Sequence, residues 1–287
     1  MTAATALRAM LAKDVTWFIP ACFDALSGIL AQQAGSPFAF ISGYGIAATR
    51  LGRPDVGLVT ATEMVDTIRY ICGSLPGFPF VADGDTGYGT AMNVRRTVVD
   101  YARAGAAAIM IEDQVNPKRC GHFDDKQVIS REEARLKIRA AVEARDECGL
   151  DILIAARTDA IAPLGFDEAL ARIIAFENEG ADILFMEALE TEAQMRMFCD
   201  LAKKPTWANN FKGGRTPYLT RKTLVDIGFR FVTDPTLLFT ATRAMQSHLK
   251  AFVAGNDDAV PPGIGFGEMR DLLKMPQYIS TSNRYKS

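Results

Sequence analysis

Eight short apolar runs recur along the chain: TWFIP (16–20), FAFIS (38–42), PFVAD (79–83), AAIMI (107–111), DILIAA (151–156), DILFM (182–186), PTWAN (205–209) and FRFVT (229–233). Each is brief and almost continuously hydrophobic, the pattern of a strand buried on both faces of a parallel sheet. Between them lie stretches with helical periodicity at 23–35, 61–74, 91–105, 130–149, 165–180, 191–204, 220–228 and 235–255. Many of these end at glycine or lysine, and Ser130 with Glu133 predicts a capping box. Eight strands alternating with eight helices predict an α/β fold, a (β/α)8 TIM barrel. The rival, a doubly wound open sheet, should carry a glycine-rich first turn, and IPACFDALSG (19–28) has none.

A short amphipathic helix is expected before the first strand, and the tail from Gly263 onward reads as one further helix. No linker is evident, so the chain is read as a single barrel domain over 1–287, with 236–287 as a C-terminal helical extension. At 287 residues the chain is long enough to bury a large core. A net charge of −2 without a basic stripe argues against nucleic acid as a partner. No run of about eighteen apolar residues exists, so no membrane span is expected. Five scattered cysteines (Cys22, Cys72, Cys120, Cys148, Cys199) with no CxxC pair fit reduced thiols in a cytoplasm. Four of them fall in helical patterns and read as inert packing. Cys120 lies in a polar, glycine-containing loop beside Lys118, Arg119 and His122, where cations favour the thiolate.

In a barrel the chemistry gathers where the strands end at their C-terminal sides. Those positions carry SGYG (42–45), DGDTGYG (83–89), EDQVNPKRCGH (112–122), RTD (157–159), Glu187 and NNFKGG (209–214). Asp83 and Asp85, one residue apart, face the same side. Two such carboxylates repel unless a proton or cation lies between them. Glu112 would approach from the next strand, and an all-oxygen set favours Mg²⁺, with Mn²⁺ as an alternative, over zinc. For Glu112 and Asp113 the alternative is a capping or surface-pairing role. Arg157, ending a buried strand, needs a partner in Glu112 or Glu187, or else holds a substrate carboxylate. SGYG offers amides and the Ser42 hydroxyl to an anion.

SGYGIAATRLGRPDVG (42–57), DGDTGYG, EDQVNPKRCGH and AARTDA (155–160) together resemble the isocitrate lyase / phosphoenolpyruvate mutase superfamily, from near residue 10 to about residue 250. KRCGH (118–122) resembles its carbon–carbon lyase branch, that of 2-methylisocitrate lyase, 2,3-dimethylmalate lyase and oxaloacetate hydrolase; the phosphonate mutases lack this cysteine. The resemblance implies a homotetramer, a dimer of dimers, with the last helix swapped between subunits. It implies Mg²⁺ on Asp83 and Asp85, with Asp55 and Glu112 acting through water. Ser42, Gly43, Tyr44 and Arg157 would take the α-keto or α-hydroxy acid moiety. Glu187, Asn209, Gly121 and His122 would receive the second carboxylate of a di- or tricarboxylate substrate. Cys120 would protonate the carbanion left by retro-aldol cleavage. Lys212 departs from the pattern, standing where relatives often carry an acid, and either attracts a further carboxylate or points to solvent.

Overall fold

A computed structural model describes residues 1–119 and 126–286. Its strands are β1 (Trp17–Cys22), β2 (Ala39–Ile41), β3 (Phe80–Asp83), β4 (Ala108–Glu112), β5 (Leu153–Thr158), β6 (Ile183–Met186), β7 (Thr206–Asn209) and β8 (Phe231–Asp234). All pair in parallel and in chain order, and β8 closes on β1. The alternation of apolar runs and helical stretches thus forms the (β/α)8 barrel expected of it. The runs stop one or two residues short of the C-terminal ends of β1, β4, β5 and β8, and at the last three the residues missed are polar side chains at the barrel mouth, Glu112, Arg157, Thr158 and Asp234. Cys22 is therefore the last residue of β1 rather than part of a helix.

Strand alternation divides the core in two. Phe40, Val81, Met110, Ala155, Phe185, Trp207 and Phe231 fill the barrel. Ile41, Ile109, Ile154 and Leu184 face outward into the layer under the helices. Trp207 stacks on Phe185 and Phe231 with ring centres 4.8 Å from each, and its indole N–H donates to Thr233 Oγ1 at 2.8 Å. The expected first helix, Ala3–Leu11, sets Ala4, Leu7 and Leu11 on one face and joins this inner cluster. Burying Leu7 alone is worth about 2 kcal/mol.

Caps set the helix starts. Thr60 and Glu63 form a complete capping box before Ala61–Ser74, with Glu63 N–H to Thr60 Oγ1 at 3.3 Å and Thr60 N–H to Glu63 Oε2 at 2.8 Å. At Ser130 only one arm of the expected box forms, Glu133 N–H to Ser130 Oγ at 3.1 Å.

The chain makes two compact units, Met1–Leu237 and Leu238–Ser287. The second contains the body of the helix Leu237–Val253, then Phe266–Leu272 and Met275–Asn283. The tail expected as one helix is therefore two. Pro276 stands in the first turn of the last helix, and Lys274 before it takes a left-handed backbone with φ 57°. Proline disfavours a continuous helix through the preceding residues. Among the described residues no helix is long and apolar enough to cross a membrane.

Candidate active site

The mouth of the barrel at the C-terminal strand ends is lined with buried charge. Asp83 ends β3 and Glu112 ends β4, while Asp85 lies two residues past β3 with φ 46°. All three are buried, and so is Asp55, from the loop between β2 and the helix Ala61–Ser74. Asp85 N–H donates to Asp83 Oδ1 at 3.1 Å and Glu112 N–H donates to Asp85 O at 2.9 Å, so one carboxylate's backbone positions the next. The glycine between the aspartates is required by space. A Cβ on Gly84 would lie 2.6 Å from the carbonyl oxygen of Met110, to which Gly84 N–H itself donates at 2.8 Å.

Lys118 enters this cluster. Its Nζ lies 2.7 Å from Asp55 Oδ1 and 2.9 Å from Asp85 Oδ1. Its ammonium neutralises the acids, because a lysine buried this deeply must find carboxylates; its expected effect on the Cys120 thiol concerns a residue outside the described ones. Burial works against the charged ammonium, yet Asp85, Glu112, Asp83 and Asp55 outweigh it and hold Lys118 well above the ordinary lysine range. Burial, then the nearby Asp85 charge, pushes Asp83 up to about 6. Burial also raises Glu112 well above the usual carboxylate range, against the pull of Arg157.

Arg157, at the end of β5, is shared among three acids. Asp159 takes it on two prongs, Nε at 2.7 Å and Nη2 at 3.0 Å. Glu112 lies 3.3 Å from Nε, and Glu187, just past β6, lies 3.3 Å from Nη2. Lys126 Nζ meets Asp159 Oδ1 at 2.9 Å, with both side chains fully buried. Asp113 turns away from the mouth, accepting from Thr158 Oγ1 at 2.6 Å, Asp159 N–H at 2.8 Å and Arg172 Nη1 at 3.0 Å. It braces the strand end, which separates it from Glu112.

The expectation for SGYG changes in detail. Ser42 caps the short helix Gly43–Ile46, its Oγ accepting from Gly45 N–H at 3.1 Å. Gly43 N–H is held by Asp83 Oδ2 at 3.1 Å, and a Cβ on Gly43 would sit 2.7 Å from that oxygen. Two of the amides expected to receive an anion are thus already engaged. Tyr44 is partly exposed beside them. Asn209, at the end of β7, lines a small cleft with Glu187 and Phe185. Lys212 is exposed, its ammonium 5.5 Å from the centre of the Tyr218 ring. Cys120, Gly121 and His122 lie outside the described residues. Of the other thiols, burial pushes Cys72 and Cys199 up to about 12, consistent with packing, whereas Cys148 is exposed at a helix end.

Asp159, Lys126 and Arg172 belong to this charged network without standing among the site residues expected from the sequence. Asp159 was legible, since residues i and i+2 of an extended chain share a face and Arg157 needed an acid. Lys126 and Arg172 gave no local signal, because their partners lie 33 and 59 residues away.

The profile of the phosphoenolpyruvate phosphomutase family matches residues 7–253. The chain belongs to this family. It is 38% identical over 290 residues to 2,3-dimethylmalate lyase of Eubacterium barkeri, covering 99% of each. It is 44% identical over 216 residues to 2-methylisocitrate lyase of Salmonella typhimurium, covering 75% of this chain and 72% of that one. The structure of oxaloacetate acetylhydrolase with the inhibitor 3,3-difluorooxalacetate superposes with a TM-score of 0.93 at 33% identity, covering 98% and 96% of the two chains. Phosphonopyruvate hydrolase in complex with oxalate and Mg²⁺ superposes with a TM-score of 0.85 at 29% identity, covering 99% of each. Lyases at these identities place the chain among the carbon–carbon lyases of the isocitrate lyase / phosphoenolpyruvate mutase superfamily.

Proposed function

We propose that this lyase is Mg²⁺-dependent and cleaves a 2-hydroxy di- or tricarboxylate of the 2,3-dimethylmalate or 2-methylisocitrate type into pyruvate or another α-keto acid and a second carboxylate. The observation that carries this reading is the buried group Asp55, Asp83, Asp85 and Glu112 at the barrel mouth, opposite Arg157. The donor set fits a hard cation. Asp85 Oδ1 and Glu112 Oε1 are buried and accept no aligned hydrogen bond, even though the Lys118 ammonium is close to Asp85. Among the described residues no three acids, histidines or cysteines converge to hold one ion directly. The reading is therefore an ion on Asp83 and Asp85, with Asp55 and Glu112 reached through water. Bound there, Mg²⁺ would supply a Lewis acid that lowers the pKa of the substrate's 2-hydroxyl.

The chain's own groups do the rest. Arg157 and Ser42 would orient the 2-hydroxy acid end, with Gly43 and Tyr44 beside them. Glu187 and Asn209, with Gly121 and His122, would receive the other carboxylate. Loss of the hydroxyl proton to solvent would drive cleavage of the C2–C3 bond, C2 becoming the keto carbon while the electron pair remains on the carbon next to the second carboxylate. The Cys120 thiol would then donate its proton to that carbon. Supporting this placement, Lys118 and Lys126, which flank the segment containing Cys120, both reach buried acids at the mouth.

The test is a screen of 2-hydroxy and 2-keto dicarboxylates with Mg²⁺, products read by mass spectrometry, with Cys120→Ser in parallel. Pyruvate or glyoxylate release that is lost in C120S is the expected result; undiminished turnover in C120S would remove the proton-donor role. The likeness to oxaloacetate acetylhydrolase favours one second reading, hydrolysis of oxaloacetate to oxalate and acetate, and oxalate as the main product would establish it.

The reading includes a homotetramer with an exchanged last helix. Light scattering of the intact protein tests it.

A further inference from the structure

Arg157 carries five N–H donors, and its neighbours divide them unevenly. Asp159 chelates the Nε and Nη2 edge at 2.7 and 3.0 Å, and Glu112 and Glu187 approach the same two nitrogens at 3.3 Å. Nη1 takes no partner among the described residues, although Arg157 as a whole is 8% exposed. The guanidinium face lies over the Phe185 ring, with Cζ 5.4 Å from its centre. A planar fork gripped along its Nε/Nη2 edge and backed by a ring keeps the Nη1 side free to donate.

We propose that Asp159 is a positioning residue: it fixes the rotation of the Arg157 fork so that Nη1 is presented to the substrate carboxylate, and Lys126 fixes Asp159 in turn. The assignment rests on the proposed lyase site and names a determinant of its substrate affinity outside the set of metal and substrate contacts.

The supports of Asp159 are all internal. Its Oδ1 accepts from both Arg157 Nη2 and Lys126 Nζ, and its N–H donates at 2.8 Å to Asp113, itself anchored by Arg172. Lys126 follows directly on the segment containing Cys120. Its stem is pinned to the other stem by Val115 N–H to Gln127 O at 2.8 Å and Ile129 N–H to Asp113 O at 2.9 Å. A fully buried ammonium paired with a fully buried carboxylate is costly to assemble and confers little stability beyond an apolar pair. Its specific consequence here is orientation: the carboxylate that grips Arg157 has one arrangement. Misplacing a substrate-holding group by about 1 Å can cost roughly a hundredfold in rate.

The test uses the full chain with Mg²⁺ and oxalate, a planar probe with the geometry of a 2-keto carboxylate, by titration calorimetry. It is paired with kcat and KM on the acid found in the screen. Asp159→Asn should weaken oxalate at least tenfold and raise KM, while Mg²⁺ binding alone changes less than twofold. Adding D159N to Arg157→Lys should cost little beyond R157K, because both act through one fork. Unchanged oxalate affinity and KM in D159N, or fully additive losses in the double variant, would overturn the proposal. If D159N fails to fold, Lys126→Met carries the test, with at least threefold weaker oxalate expected and an unchanged value refuting it. Oxalate that does not bind the wild-type protein at all would instead strike the lyase site itself, so the two failures are distinguishable.

Discussion

Replacing Lys118 with methionine removes the cation that lies between Asp55 and Asp85 at 2.7 and 2.9 Å. With an effective dielectric of about 20, each of those contacts is worth roughly 6 kcal/mol of attraction before dehydration is counted. Dehydrating the ammonium offsets much of that, and stripping one partner from a buried pair leaves a net loss of about 3–5 kcal/mol. For a barrel of this size that corresponds to about 6–20 °C in Tm. The same ammonium competes with a divalent ion for Asp85, so Mg²⁺ should stabilise K118M more than the wild type. An ion present at a thousand times its Kd contributes about 4 kcal/mol, enough to recover most of the loss. The assay is thermal unfolding of both proteins in EDTA and across a Mg²⁺ series, with the exposed Lys203→Met as a control expected to change stability by less than about 0.5 kcal/mol. A loss under about 1 kcal/mol in EDTA, or equal Mg²⁺ shifts in K118M and wild type, would refute the reasoning.

Asp83 is held at about 6 in the folded chain, above the 3.8 of an ordinary aspartate, so its share of stability is full at low pH and is lost as pH rises through that interval. Metal-free protein should therefore lose up to about 3 kcal/mol of unfolding free energy between pH 4 and 6, and Asp83→Asn should flatten that slope in denaturant titrations at each pH. Mg²⁺, which needs the ionised carboxylates, should stabilise more at pH 7.5 than at pH 5.5. Gly84→Ala would press its methyl against the Met110 carbonyl and displace both aspartates, costing about 1–3 kcal/mol and most of the Mg²⁺-dependent rise in Tm. Brief maleimide labelling of native protein should find Cys148 and leave Cys22, Cys72 and Cys199 unmodified until denaturant is added, as read by peptide mass spectrometry.

Much of the molecule is written locally. Strands buried on both faces need continuous apolar runs, so β1 to β8 were visible as PFVAD, AAIMI and their counterparts, and the helical stretches between them fixed a parallel barrel. Asp83, Asp85, Glu112, Arg157 and Glu187 were legible as polar residues where apolar runs stop. The tertiary structure alone decided which charge meets which. A buried ion needs a counter-ion at about 3 Å, and the chain supplies it from wherever the barrel brings an acid near: Lys118 to Asp55, Lys126 to Asp159, Arg172 to Asp113. It also assigned the Gly43 amide to Asp83 and broke the tail into two helices at Lys274. Periodicity reports the burial of a residue's own face, which neighbours in sequence share. Charge pairing across the mouth depends on distances between strands, and those exist only once the barrel has closed.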